Sequence, residues 1–123
     1  MLSRINSIGA ITYEANLRTT NSKRNPFPQN QRLDITLGAK DATSSVLKKS
    51  ADIMNSPVIM TEFARNIFSS CPSVIEISFY LYQTEWEIAF FRGPDDKVIR
   101  GKCIGPGERP EDYVFQWGEY FCL

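Results

Sequence analysis

Residues 105–112, with the sequence GPGERPED, combine two glycines, two prolines, one arginine and three carboxylates. A phosphate-binding loop holds its anion with converging backbone N–H groups, and each proline removes one such donor. Glu108, Glu111 and Asp112 would also repel an anion. We therefore expect the stretch to turn a corner between two strands. The alternative is a role in binding, in which this corner presents its three carboxylates to a basic partner.

A second acidic turn, GPDD, occupies residues 93–96. Asp95 and Asp96 are natural turn residues, and they are also candidates for the same acidic surface. A calcium-binding loop would need further oxygen ligands at a fixed spacing after them, and the sequence provides none. No metal is predicted.

The chain contains no histidine, which removes the commonest general base, the commonest zinc ligand and every histidine-containing catalytic triad. Cys71, Cys103 and Cys122 are widely spaced and form no C-x-x-C pair, so we expect buried thiols rather than disulfides or a nucleophile. Glu85 and Glu87 share one strand face, where a solvated surface explains them better than a pair of catalytic carboxylates. No catalytic residue and no cofactor is predicted.

A basic segment surrounds Phe27 and contains Arg18, Lys23, Arg24 and Arg32. Cations with an aromatic ring are what proteins that bind single-stranded nucleic acids use. However, the net charge is zero and no RNA-binding motif is present. A solvated loop is the better interpretation, and no direct nucleic-acid contact is expected.

The charges are unevenly distributed along the 123 residues. Residues 1–70 hold nine Lys and Arg against five Asp and Glu, whereas residues 71–123 hold five against nine. Clustered carboxylates in the second half can therefore steer a basic partner. No apolar run approaches the roughly 18 residues of a membrane span, and the N-terminus lacks the pattern of a signal peptide. We expect one cytoplasmic domain over residues 1–123, without membrane contact.

Two strands are predicted in the first third, at AITYEANL and RLDITLG, because apolar and polar residues alternate in both. The intervening residues, about 20–31, are polar with two prolines and predict a mobile hairpin loop. Two helices follow. The first is expected to begin at an Asp41 cap, and the second at a Ser56 cap with Pro57 in its first turn.

The last third predicts a meander of strands. A two-residue turn between SVIEISFYLY and EWEIAFFR places Leu81 opposite Trp86, Phe79 opposite Ile88 and Ile77 opposite Phe90. Continuing through a four-residue GPDD turn places Ile99 beside Phe90, Gly101 beside Ile88 and Cys103 beside Trp86. The same register aligns Tyr80, Glu87 and Lys102, with an exposed Glu87–Lys102 ion pair. A final strand is predicted in YVFQWGEYFCL, with Phe115, Trp117 and Phe121 inward.

These elements predict an α+β fold, namely a curved antiparallel sheet of about six strands with two helices packed on one face. In size, composition and acidic loops, the whole chain resembles the small bacterial immunity proteins that neutralise toxins of contact-dependent growth inhibition or related systems. The resemblance implies a cytoplasmic, non-catalytic protein that covers the active site of a cognate toxin domain, such as a basic nuclease.

A binder of that kind needs carboxylates that speed association and aromatic anchors that slow release. The candidate carboxylates are Asp95, Asp96, Glu108, Glu111 and Asp112. The candidate anchors, expected on or near the exposed face of the sheet, are Tyr80, Tyr82, Phe91 and Tyr113. The alternatives are a small-ligand protein or enzyme with a pocket between helices and sheet, and a structural subunit of a larger bacterial or phage assembly.

Overall fold

The computed structural model describes residues 13–20, 24–39 and 42–122. This part of the chain forms seven strands and two α-helices, which confirms the α+β class. The elements are β1 Tyr13–Thr19, β2 Gln31–Leu37, α1 Ser44–Met54, α2 Pro57–Ser70, β3 Val74–Leu81, β4 Glu87–Arg92, β5 Val98–Arg100, β6 Lys102–Ile104 and β7 Glu119–Phe121.

The main sheet has the strand order β1-β2-β3-β4-β5, and β6 and β7 form a separate two-stranded sheet. Within the main sheet β2 and β3 run parallel, because the chain crosses between them through both helices. The β6–β7 pair is also parallel. The architecture is therefore mixed rather than wholly antiparallel as expected.

Both helices begin at side-chain caps. The Thr43 Oγ1 accepts a hydrogen bond from the Val46 N–H at 3.2 Å, and the Ser56 Oγ accepts one from the Ile59 N–H at 3.3 Å. The cap predicted for the second helix is thereby confirmed, including Pro57 in its first turn. The first helix uses Thr43, and Asp41 lies outside the described residues.

The core lies between the two helices and one face of the main sheet. Leu33, Ile35 and Leu37 of β2 are each no more than 1% exposed, as their alternation predicts. Helix α2 contributes its apolar stripe from the other side, namely Met60, Ala64, Ile67 and Phe68. The opposite face of the sheet, called the outer face below, is thus free of the helices and carries the polar residues of β2 and β3.

The predicted β3–β4 register is confirmed, with Phe79 opposite Ile88 and Ile77 opposite Phe90. The predicted β4–β5 register is wrong by one residue, since Phe91 rather than Phe90 lies opposite Ile99. Only residues 94–96 form the connection, because the Gly93 N–H donates to the Lys97 carbonyl at 2.6 Å. Asp95 and Asp96 permit this tight turn by adopting positive φ angles of 56° and 60°.

Gly101 directly follows β5, the third strand of the meander. A Cβ atom there would lie 2.7 Å from the Ala89 carbonyl oxygen, so this close approach requires glycine. Strand β6 then leaves the main sheet and pairs with β7. The expected alignment of Lys102 with Glu87 is therefore wrong, and Glu87 is paired with Arg32 instead.

The cysteines differ from the expectation of three buried thiols. Cys71 is a free, buried thiol, as predicted, but Cys103 and Cys122 form a disulfide. This bond ties β6 to the residue that follows β7. The final strand is only three residues long, and Phe121 is 46% exposed rather than inward as predicted.

No helix in the described part of the chain has the length and apolar character needed to cross a membrane.

Candidate functional site

A cluster of charged side chains lies on the outer face of the sheet, and Arg32 is at its centre. The Arg32 guanidinium donates hydrogen bonds to Asp34 Oδ1 at 2.6 Å and to the Tyr80 hydroxyl at 2.6 Å. It also lies 3.2 Å from Glu76 Oε2 and 3.4 Å from Glu87 Oε2. Register explains the grouping, because Arg32 faces Glu76 across β2–β3 and Tyr80 faces Glu87 across β3–β4.

Arg18 extends this group by pairing with Asp34 at 2.7 Å, although its own side chain is 57% exposed. We call these residues the Arg32 cluster, and its members are Arg18, Arg32, Asp34, Glu76, Tyr80 and Glu87. The cluster contains three carboxylates and two guanidiniums. With every group ionised, it carries one negative charge in excess.

Glu76 is the most enclosed acid of the cluster, with 4% of its surface exposed. Its Oε1 accepts a hydrogen bond from the Thr20 hydroxyl at 2.7 Å. Burial raises the pKa of Glu76 above its ordinary value, and the contacts with Thr20 and Arg32 only partly oppose this effect. Burial also raises the pKa of Tyr80, to about 12, so its hydroxyl remains a hydrogen-bond donor at neutral pH.

Residues 113–121, called the C-terminal segment below, cover part of the outer face. The Trp117 ring packs edge-on against Phe91 at 4.9 Å between centroids, and its Nε1–H donates to the Arg92 carbonyl at 2.9 Å. The Tyr120 hydroxyl donates to the Glu87 carbonyl at 3.0 Å. The segment is thus held against β4 by both apolar and polar contacts.

A cavity of about 460 Å³, called the outer cavity, lies between the sheet and this segment. The side facing the sheet is lined by Arg18, Thr19, Thr20, Arg32, Glu76 and Phe91. The side facing the C-terminal segment is lined by Tyr113, Val114, Phe115, Glu119, Tyr120 and Phe121. The cavity therefore joins a charged floor to walls that are mostly aromatic.

Three contacts hold these walls in place. The Tyr113 hydroxyl donates to Glu119 Oε1 at 2.6 Å, and this bond lowers the pKa of Glu119 and raises the pKa of Tyr113. The Arg109 guanidinium lies 3.8 Å from the centre of the Phe121 ring and 6.0 Å from that of Phe115. Both aromatic walls therefore already contact a guanidinium.

The predicted aromatic anchors fall in different environments. Phe91 lies on the outer face as predicted, but it is only 2% exposed because Trp117 covers it, so it is not an accessible anchor. Tyr80 is half-buried within the Arg32 cluster. Tyr82 is half-buried just after β3, and Tyr113 lines the outer cavity.

The five candidate carboxylates are all exposed, on the turn at residues 94–96 and on the loop at 105–112. Asp96 accepts a hydrogen bond from Arg92 at 2.7 Å, and Glu108 Oε2 accepts one from the Gly105 N–H at 3.0 Å. The side chains of Asp95, Glu111 and Asp112 make no hydrogen bond or ion pair with any other described residue. These three acids are the ones available to a partner.

Part of the basic segment is engaged within the protein, whereas Arg24 is exposed. Arg18 and Arg32 belong to the Arg32 cluster, and the Phe27 ring packs edge-on against Trp117 at 6.1 Å between centroids. Lys23 lies outside the described residues. Phe27 therefore connects the hairpin loop to the C-terminal segment.

Sequence reasoning missed the Arg32 cluster and the outer cavity. The available signal was Glu76, the one charged residue in the strand sequence VIEISFYL. Its partner could not be identified because β2 and β3 pair in parallel across both helices. Among the described residues, no group of three or more Cys, Asp and Glu side chains is arranged to hold a metal ion.

Comparison with models of protein families, with curated proteins and with solved structures finds no match to this chain.

Proposed function

We propose that this chain is a non-catalytic binding protein that neutralises a cognate toxin domain by covering its active site. The observation that carries the proposal is the continuity of two surfaces. Glu111 and Asp112 are exposed and form no ion pair with another described residue, and they directly precede Tyr113 and Val114, which line the outer cavity. Free carboxylates and an aromatic cavity therefore belong to one stretch of chain.

This arrangement has the features of a protein-binding surface. Exposed carboxylates accelerate the approach of a basic domain, while a cavity accepts an anchoring side chain that slows dissociation. Val114 and Phe121 are 50% and 46% exposed and add apolar surface close to those acids. A basic nuclease domain is the partner class that suits both properties.

The loop at residues 105–112, called the acidic loop, has a fixed conformation before any partner binds. Pro106–Glu108 forms a 3₁₀ turn, and the Glu108 carboxylate accepts a hydrogen bond from the Gly105 N–H. Arg109 Nε donates to the Gly105 carbonyl at 3.2 Å. A loop fixed in this way loses little conformational entropy on binding, which favours affinity.

The first test is the neighbouring gene, which we expect to encode a large secreted protein. The dissociation constant of the C-terminal domain of that protein is then measured by calorimetry. Reversal of both free acids, Glu111→Lys with Asp112→Lys, is expected to weaken binding by about tenfold or more. The matched control is Asp52→Lys with Glu62→Lys, which makes the same change of charge on exposed helix positions across the sheet.

An equal loss of affinity in the two double variants would remove the acidic loop from the interface. Failure of the toxin domain to bind the unaltered protein would contradict the neutralising function itself. Glu108 is left unchanged because its carboxylate also caps the loop.

Cytoplasmic location is part of this proposal, and it has a consequence for the cysteines. A partly exposed disulfide such as Cys103–Cys122 is normally reduced in that compartment, whereas an oxidising compartment preserves it. We expect free thiols at both positions when cells are lysed directly into an alkylating reagent. Intact disulfide in that assay would contradict the cytoplasmic location.

A small-ligand protein is the second candidate, and the volume of the outer cavity favours it. About 460 Å³ lies within the roughly 300–1,000 Å³ typical of small-molecule sites. The cavity is on the outer face of the sheet, not between the helices and the sheet as the sequence suggested. A thermal shift with a metabolite, together with no binding of any toxin domain, would favour this candidate.

A further inference from the structure

Strand β1 forms an unprotected edge of the main sheet. It lies at one end of the strand order, and β2 is its one strand neighbour among the residues that the structure describes. Its seven residues pair with β2 without a bulge, and they include neither proline nor lysine, which commonly block such edges. A long, regular edge of this kind is a template for a further strand.

The backbone groups that face this edge follow from the β1–β2 ladder. The Thr20 N–H donates to the Asn30 carbonyl at 2.8 Å, one position beyond β1 in the same register. Bonded and non-bonded pairs alternate in an antiparallel ladder, so the even-numbered residues of β1 bond to β2. The N–H and carbonyl groups of Ala15, Leu17 and Thr19 therefore point towards the open edge.

The side chains of β1 are complementary to a second copy of the same strand. Two copies that pair antiparallel about Asn16 bring Glu14 of each copy opposite Arg18 of the other. The same arrangement places Ala15 opposite Leu17, so the residues whose backbone groups face the edge form the bonded pairs. A shift of two residues in either direction keeps these bonds but separates Glu14 from Arg18. Charge therefore selects the register centred on Asn16.

Both charged groups are available for such a contact. The Glu14 side chain is exposed and forms no ion pair with another described residue. Arg18 Nε lies 2.7 Å from Asp34 Oδ2, which leaves the two terminal nitrogens of the guanidinium for a second carboxylate. On the opposite face Leu17 is 48% exposed, and pairing about Asn16 would bring the two Leu17 side chains into diagonal contact.

We propose that β1 is a dimerisation surface, at which two copies of this chain pair antiparallel through their β1 strands. The two main sheets become one continuous sheet, related by a two-fold axis that passes through Asn16. Two Glu14–Arg18 ion pairs lie on the outer face, and the Ala15 and Leu17 side chains lie on the other. The β1 edge shares no residue with the acidic loop, so dimerisation does not depend on toxin binding.

The test is sedimentation velocity of the full chain over a series of protein concentrations. We expect the unaltered protein to pass from monomer to dimer as the concentration rises. Glu14→Arg places like charges opposite each other at two symmetric positions, so we expect it to weaken dimerisation by about tenfold or more. Asp52→Arg, at an exposed position of α1, makes the same change of charge and should leave the dimer unchanged.

A mixture of two variants tests the pairing itself. Arg18→Glu should weaken self-association for the same reason as Glu14→Arg. When the two variant proteins are mixed, each altered position of one copy again faces the opposite charge in the other. We expect the mixture to form a heterodimer at a concentration at which neither variant dimerises alone. Mixing would not rescue a variant that had only lost its fold.

A backbone variant covers the case in which a charge variant does not fold. Leu17→Pro removes an N–H that points away from β2, so the β1–β2 ladder keeps its bonds while the open edge loses a donor in each copy. We expect this variant to remain monomeric. Leu17→Ala keeps the N–H and should still dimerise.

Two results would overturn the inference. A monomer at every concentration would do so, and would leave the edge to residues 1–12 or to a different protein. A dimer that persists in both Glu14→Arg and Leu17→Pro would place the contact elsewhere on the surface. None of these measurements uses a toxin domain, so the dimer and the proposed function fail separately.

Discussion

The Arg32 Nη1 atom lies 3.2 Å from Glu76 Oε2, and the two residues face each other across the parallel strands β2 and β3. Arg32 comes from the N-terminal hairpin, whereas Glu76 comes from the meander that follows both helices. The floor of the outer cavity therefore exists only where these two parts of the chain meet.

Arg32→Gln should strongly destabilise the protein. The substitution leaves Asp34, Glu76 and Glu87 close together without their central cation, and loss of one partner from a buried ion pair typically costs several kcal/mol. Because the Arg32 side chain is 19% exposed, we expect about 3 kcal/mol, at the lower end of the range for buried pairs. Urea unfolding at neutral pH measures the loss.

The matched control for that variant is Arg65→Gln. Arg65 pairs with Glu62 on the exposed face of α2, where both side chains are more than half exposed. Pairs of this kind contribute at most about 0.5 kcal/mol. Similar losses of unfolding free energy in the two arginine variants would show that the Arg32 cluster stabilises the protein no more than a surface ion pair does.

The free energy of unfolding should depend on pH through Glu76. Burial raises the pKa of this acid in the folded state above its ordinary value of 4.5, so the folded protein holds the proton more tightly than the unfolded chain does. This contribution is complete below pH 4.5 and is lost as the pH rises through the higher, folded-state pKa. The unaltered protein should therefore lose stability relative to Glu76→Gln as the pH rises from 4.5 through the folded-state pKa of Glu76.

The measurement is urea unfolding of both proteins over a series of pH values. Because other acids titrate in both proteins, only the difference between the two curves reports on Glu76. If the unaltered protein instead became more stable than Glu76→Gln as the pH rises, the pKa of Glu76 would not be raised in the folded state.

Gly101→Ala should destabilise the protein by about 2 kcal/mol, because the added Cβ overpacks a closed site. It would lie 2.7 Å from the Ala89 carbonyl oxygen and 2.9 Å from ring atoms of Phe91 and Tyr120. Gly107→Ala is the matched control, since a Cβ at Gly107 meets no atom within 4 Å. Thermal unfolding of the two variants compares them, and equal melting temperatures would argue against the close approach at Gly101.

Reduction of the Cys103–Cys122 disulfide should lower the free energy of unfolding by about 3 kcal/mol, the usual value for a closed loop of this size. The two cysteines are separated by 19 positions, and the loop between them contains the acidic loop and the whole C-terminal segment. Unfolding with and without dithiothreitol measures the effect. The Cys103→Ser, Cys122→Ser double variant should not respond to dithiothreitol, and an equal response in both proteins would contradict the bond.

The sequence predicted those features that depend on neighbours along the chain. The pairing of Phe79 with Ile88 follows from a short turn and from alternation on both strands, and the Ser56 cap follows from Ser-Pro before an apolar stripe. The β4–β5 register failed because two aspartates adopt a left-handed conformation that residue type alone does not require.

The candidate site was less predictable because it depends on distant partners. Glu76 is the one charged residue of its strand, but alternation within that strand could not show that β2, rather than another strand, is its neighbour. The exposure of Phe91 was misjudged for the same reason, since the covering Trp117 comes from an irregular segment. The wide spacing of Cys103 and Cys122 likewise gave no sign of their contact.

The parallel β2–β3 seam has a consequence for the order of folding. Hairpin β1–β2 and meander β3–β5 each pair strands that are close in the chain, whereas the seam closes a loop that contains both helices. Pairing across such a long loop is the slower event, because the entropy of closure must be overcome first. Neither half alone holds both Arg32 and Glu76, so we expect the floor of the outer cavity to form in the last step of folding.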